Sequence, residues 1–146
     1  MLSFCMNVVV DCNIFISAVL SQNGLAVKVL EKALSGEVIP QFGQKLFSEY
    51  EDVLNREHII SNSKLSIGEI DELLNALMSI SKWVEIYYLW RPNLKDEGDN
   101  HLVELAVASN SKYIITHNTK DFEGQQLQFD FEVVTAKEFL EKEFSK

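Results

Sequence analysis

The stretch Phe4-Cys5-Met6-Asn7-Val8-Val9-Val10-Asp11-Cys12-Asn13 decides how the rest of the chain is read. Residues 4–10 form an almost continuous apolar run rich in β-branched side chains, the pattern of a short strand buried on both faces, as in a parallel sheet. Asp11 ends the run. A carboxylate beside a core costs several kcal/mol unless something pairs with it, so an acid at such a boundary is either neutralised or used. Asn13 is suited to cap a helix over 14–20.

Outward from that stretch, strand and helix patterns alternate. The spacing of Leu25, Val29, Leu30 and Ala33 predicts a helix over 25–35 with Gly36 as its stop, and Val38 and Ile39 suggest a short strand. A helix over 44–56 follows, its stripe drawn by Leu46, Tyr50, Val53 and Leu54; Glu49 falls on that stripe. Residues 61–66 read as a polar loop, and Ser66 with Glu69 resembles a capping box opening a helix through Ile70, Leu73, Leu74, Leu77 and Ile80. Residues 84–89 are strand-like and 91–98 a polar loop. The next helix runs through Leu102, Leu105, Ala106 and Ser109, with Asp99 in its first turn. A strand over 113–116, a polar loop over 117–124, a strand over 131–134 and a helix over 136–144, capped by Thr135 with Glu138, complete the chain. The alternation predicts a three-layer α/β/α sandwich with a mostly parallel sheet of about five strands, as one domain over 1–146.

Composition narrows the function. The net charge of −9 argues against broad wrapping of nucleic acid, which needs many Lys and Arg against phosphates. It leaves room for an enzyme whose acids are neutralised by bound ions. No apolar run approaches the ~20 residues of a membrane helix. Residues 1–10 lack the basic leader and cleavage site of a signal peptide, so a cytoplasmic protein is expected without membrane association. Cys5 and Cys12 on an extended segment would stand roughly 23 Å apart at ~3.3 Å per residue. A disulfide spans at most about 7 Å, so both read as buried thiols. The chain holds no Gly-rich phosphate loop of useful spacing, no Gly-Xaa-Ser-Xaa-Gly elbow and no His-Glu-Xaa-Xaa-His motif.

In parallel sheets ligands bind beyond the carboxyl ends of the strands. Asp11, the Asp96 and Asp99 segment and the 117–121 loop should all reach that edge. Each acid has a plain reading alone: Asp11 as a cap, Asp99 as a partner of its helix dipole, Glu49 as the ion-pair partner of Lys45. Together, Asp11, Glu49 and Asp99 suit one or two hard divalent ions, Mg²⁺ or Mn²⁺, of the kind that activate water against a phosphodiester.

Val8-Val9-Val10-Asp11-Cys12-Asn13, Glu49 on a mid-chain helix, Asp96-Glu97-Gly98-Asp99-Asn100-His101-Leu102, and Tyr113-Ile114-Ile115-Thr116-His117-Asn118 with Asp121-Phe122 resemble a PIN domain over nearly the whole chain. The likeness is to the branch described as toxin components of bacterial toxin-antitoxin pairs. It implies a Mg²⁺- or Mn²⁺-dependent ribonuclease that leaves a 5′-phosphate and a 3′-hydroxyl. Asp11, Glu49 and Asp99 match the family's three acids, Asp96 an accessory acid, Asn13 the small polar residue after the first acid, and Thr116 the hydroxyl before the fourth position. That fourth position is usually an acid, and here it is Asn118. An amide oxygen brings no charge, so a second metal should bind more weakly unless Asp121 compensates.

His101 is expected as a surface hydrogen bonder, and His58 as surface. His117, Lys120 and Lys95 are candidates to touch substrate along the active edge; Trp83, Trp90, Tyr87 and Tyr88 read as packing. The resemblance further implies a small antitoxin protein over the cleft, with self-pairing to a homodimer through helices near the Leu73 stripe. Two rival readings are a non-catalytic RNA- or protein-binding module, weakened by Asn118, and a small-molecule phosphohydrolase.

Overall fold

The valines of the opening stretch form the middle of a sheet. In the computed structural model, which describes residues 6–21, 24–63, 65–85, 100–122 and 130–144, β1 (Met6–Val10) pairs in parallel with β2 (Val38–Phe42) on one side and β4 (Tyr113–Ile115) on the other. Val8 stands opposite Pro40, and Val9 opposite Ile114. β3 (Lys82–Trp83) adds to β2 and β5 (Glu132–Val134) to β4, giving five parallel strands in the order β3-β2-β1-β4-β5.

Successive strand residues point to opposite faces. Val8, Val9 and Val10 are each at most 1% exposed, as are Ile114 and Ile115, so both faces of the central strands are covered. α6 (Asn100–Ala108) packs on β1, β2 and β4, α7 (Ala136–Glu143) on β4 and β5, and α2 (Leu25–Leu34) on β2. α1 (Cys12–Ser21) contacts α2 and α3 (Gln44–Leu54). This is the expected sandwich. No single helix among the described residues is long and apolar enough to cross a membrane.

Boundaries differ from the expected ones for local reasons. β2 runs to Phe42, past Pro40, although proline normally ends a strand. Pro40 shares the side of Phe42, whose C=O accepts from the Val84 N–H, and it lies before β3 begins, so no ladder bond is lost. The helix expected over 44–56 ends at Leu54. A separate α4 (Glu57–Asn62) follows it, too short and too polar around its one buried residue, Ile59, to show a period. The strand β3 at Lys82–Trp83 lies ahead of the one expected over 84–89, of which 84 and 85 are not strand and 86–89 lie outside the described residues. Trp83 packs edge-on against Phe47 at 6.0 Å and remains half open to solvent. A 3₁₀ turn, Thr119–Phe122, interrupts the 117–124 loop because the Phe122 ring is fully buried.

Both predicted capping boxes form. Ser66 Oγ accepts from the Glu69 N–H at 3.1 Å while the Ser66 N–H donates to Glu69 Oε1 at 2.9 Å, opening α5 (Ile67–Ser79). Thr135 and Glu138 repeat the arrangement at α7 with the same two distances. Ser66→Ala and Thr135→Ala should each lower stability by about 1 kcal/mol in urea denaturation. An unchanged midpoint in either variant would show that its cap contributes nothing.

Candidate metal centre

Asp11 stands one residue beyond β1. Its backbone N–H still donates to the Ile115 C=O at 2.9 Å, so the ladder between β1 and β4 carries the side chain to the carboxyl edge of the sheet. Thr116, one residue beyond β4, is held in the same way by its N–H on the Val134 C=O at 2.9 Å. The two buried side chains meet there. The Thr116 hydroxyl donates its one proton to Asp11 Oδ2 at 2.8 Å and accepts from Asn13 Nδ2 at 3.2 Å and the Asn118 N–H at 3.1 Å, which uses its whole hydrogen-bonding capacity. Asn13 Nδ2 also lies 3.3 Å from Asp11 Oδ2, and Asn13 Oδ1 accepts from the His117 N–H. α1 begins at Cys12, so Asn13 falls inside its first turn and does not cap it. Its amide orients the acid instead.

Glu49 arrives from α3. The next residue, Tyr50, is fully buried; its hydroxyl donates to the Val10 C=O at 2.7 Å and its ring packs between Phe15 and Phe42 at 5.4 and 4.9 Å. That bond joins α3 to the end of β1. One carboxylate oxygen each from Asp11 and Glu49 and the Cys12 sulfur then lie within 4.8 Å of one another. Atoms bound to a single divalent ion at about 2.0–2.6 Å spread over such a distance. The Glu49 side chain is 37% exposed and opens the cluster to solvent.

The electrostatics are those of a site short of positive charge. Burial, and secondarily the Glu49 carboxylate, push the Asp11 carboxyl above its ordinary range, against the opposing bond from Thr116. Burial and the neighbouring acids push the free Cys12 thiol up to about 12, so without a metal it stays protonated at neutral pH. Two carboxylates, one destabilised by burial, form a donor set that a divalent cation would neutralise.

The other predicted residues divide. Asp99, Asp96 and Lys95 lie outside the described residues, as does the side chain of Asp121. Asn118, Lys120 and His117 are exposed, and His117 Nε2 shares a 2.8 Å hydrogen bond with Ser17 Oγ. His101, expected at the surface, is buried; the partner of Glu49 is this histidine and not Lys45, with Nε2 3.1 Å from Glu49 Oε2. Its signal in the sequence was its place four residues before Leu105 on the α6 stripe, the same signal that singled out Glu49. Cys12, expected as a buried thiol, is only partly buried at the edge of the cluster, and neither its pattern nor the stripe position of Tyr50 reveals a neighbour across the fold.

The family model described as PIN domain matches residues 7–120. The chain belongs to the PIN domain family. An uncharacterized protein of Methanocaldococcus jannaschii is 28% identical over 152 aligned positions, covering 95% of this chain and 92% of that protein. The fold is similar to that of a chain in the crystal structure of VapBC2 from Rickettsia felis bound to a DNA fragment from their promoter, with a TM-score of 0.56 and 15% identity over 89% of this chain and 98% of that one.

Because the folded Asp11 pKa lies above the unfolded one, its ionised form costs native-state stability at neutral pH. The cost disappears as pH falls through the folded value. In chelator, Asp11→Asn should therefore be more stable than wild type at pH 7, with a gap that closes on acidification; urea denaturation across pH measures it, and a widening gap would reverse the sign. Tyr50→Phe leaves a buried carbonyl unpaired and should cost about 1–3 kcal/mol by the same assay.

Proposed function

We propose that this PIN-family chain is a divalent-metal-dependent endoribonuclease acting as the toxin of a toxin-antitoxin pair. The observation that carries the nuclease reading is the convergence of Asp11 and Glu49, from a strand end and a separate helix, on one point at the carboxyl edge of the sheet. PIN domains are generally nucleases that use divalent metals. The Mg²⁺ or Mn²⁺ that these acids would hold supplies charge to activate an attacking water and to stabilise the leaving oxygen of the phosphodiester.

The chain's own residues do the rest. Thr116 and Asn13 fix the Asp11 carboxylate from behind, and Tyr50 fixes the helix that carries Glu49. Asp99 and Asp96 complete the acidic set, with Asp121 offsetting the uncharged Asn118. The exposed Lys120 and His117, together with Lys95, would hold the RNA phosphates and so keep the scissile bond at the acids. The toxin role rests on resemblance to that branch of the family, supported by a fold like that of a chain in the Rickettsia felis assembly. Its partner would be a small antitoxin covering the acids. A second copy would pair through the Leu73 face, where an apolar recess is lined by Val27, Leu30, Leu34 and Leu73.

The test is Mn²⁺-dependent cleavage of single-stranded RNA by purified protein. Asp11→Asn should lower the rate by more than about 100-fold, and Thr116→Val, which frees the carboxylate to swing, by about 10- to 100-fold. Full activity in Asp11→Asn would remove that residue from the mechanism. Asn118 favours one alternative, a non-catalytic binding module, which predicts no Mn²⁺ uptake by calorimetry near millimolar concentration.

A further inference from the structure

We propose that Cys12 is a metal ligand whose sulfur, with the carboxylates of Asp11 and Glu49, makes the site a centre for thiophilic divalent ions, Zn²⁺ above all, in competition with Mg²⁺ and Mn²⁺. The inference rests on the reading of Asp11 and Glu49 as an ion site and adds a soft donor to that acidic pair.

The geometry is that of one shared ion. The Cys12 sulfur and one carboxylate oxygen each of Asp11 and Glu49 all lie within 4.8 Å of one another. Ligands of a tetrahedral Zn²⁺ at about 2.0–2.3 Å stand about 3.3–3.8 Å apart, inside that limit. Zinc at accessible sites takes three protein ligands and leaves one position open, and three is the number of donors in this cluster. The sulfur is available to an ion: Cys12 is a free thiol and only partly buried, and the Glu49 side chain beside it is 37% exposed.

The fold holds the three donors together. Cys12 is the first residue of α1, and the Ile14 N–H donates to the Asp11 C=O at 3.0 Å across the turn that leaves β1. Ile14 and Phe15 are fully buried, so the turn that carries Asp11 and Cys12 is anchored in the core. Glu49 is tied to the same strand end by the bond from Tyr50 to Val10. Thiolate sulfur selects Zn²⁺ and its relatives, whereas Mg²⁺ takes oxygen ligands. An oxygen at position 12 would leave a wholly hard donor set; sulfur there changes which ion the site prefers. Coordination forms a metal–sulfur bond and releases the thiol proton to solvent. An ion held in this way occupies the place that Mg²⁺ or Mn²⁺ needs.

The probe is Co²⁺, an optical stand-in for Zn²⁺, added to the full chain without RNA. Wild-type protein should develop a sulfur-to-cobalt charge-transfer band in the near ultraviolet, and Cys12→Ser should lose it. The chain has two cysteines. Cys5→Ser should keep the band, and it decides the matter if Cys12→Ser fails to fold. In a second measurement, Zn²⁺ is titrated into Mn²⁺-loaded protein and released Mn²⁺ is read by electron paramagnetic resonance; wild type should give up Mn²⁺ at a Zn²⁺ concentration at least about tenfold lower than Cys12→Ser does. Bound Co²⁺ without the sulfur band, a band kept in Cys12→Ser or lost in Cys5→Ser, or an equal Zn²⁺ requirement in wild type and Cys12→Ser would overturn Cys12 ligation and leave the acidic site standing. Failure of wild type to bind Co²⁺, Zn²⁺ or Mn²⁺ at all would overturn both.

Discussion

The hydrogen bond from the Tyr50 hydroxyl to the Val10 carbonyl is the constraint on which the site depends. Val10 is the last residue of the central strand, and its neighbour Asp11 is the first acid; Tyr50 follows the second acid, Glu49, on α3. One buried bond therefore sets the separation of two carboxylates that lie far apart in the chain. Neither end has freedom to adjust. β1 is clamped between β2 and β4, and the Tyr50 ring is wedged between Phe15 and Phe42. A close-packed interior transmits such constraints because it leaves no void for a ring to move into.

The same packing that aligns the acids makes them costly. Asp11 is buried with Glu49 beside it, and burial is the larger cause of its raised pKa. Thr116 and Asn13 direct their hydrogen bonds at one of its oxygens and recover only part of the lost hydration. The core thus makes the ionised Asp11 costly to hold. A cation bound there would offset that cost and so would couple metal binding to folding stability. The net charge of −9 says little about this chemistry, since the balance that matters is local.

How much of this was legible in the sequence depends on the range of each signal. The parallel sheet followed from alternation and from a strand with no polar face, and the two capping boxes from residues three positions apart. Local patterns of that kind act within one element. Glu49 stood out because a charge on an apolar stripe is anomalous, and His101 carried the same mark, hidden by the expectation that a polar residue in a first turn faces water. Cys12 was not legible as a neighbour of Glu49. Its place depends on how α3 crosses the end of β1, which is settled by long-range packing around Tyr50. The extension of β2 past Pro40 likewise depends on where β3 starts, a fact of the whole sheet.

Asn118 shows how geometry and charge separate in this site. The backbone of the fourth position is still in use: the Asn118 N–H donates to Thr116 Oγ1, which in turn donates to Asp11 Oδ2. Any residue other than proline at 118 can supply that N–H, so replacing the usual acid with an amide leaves the Thr116 relay intact. What the replacement removes is a negative charge on the exposed side. Repulsion among the remaining acids falls, and so does the attraction for a second cation.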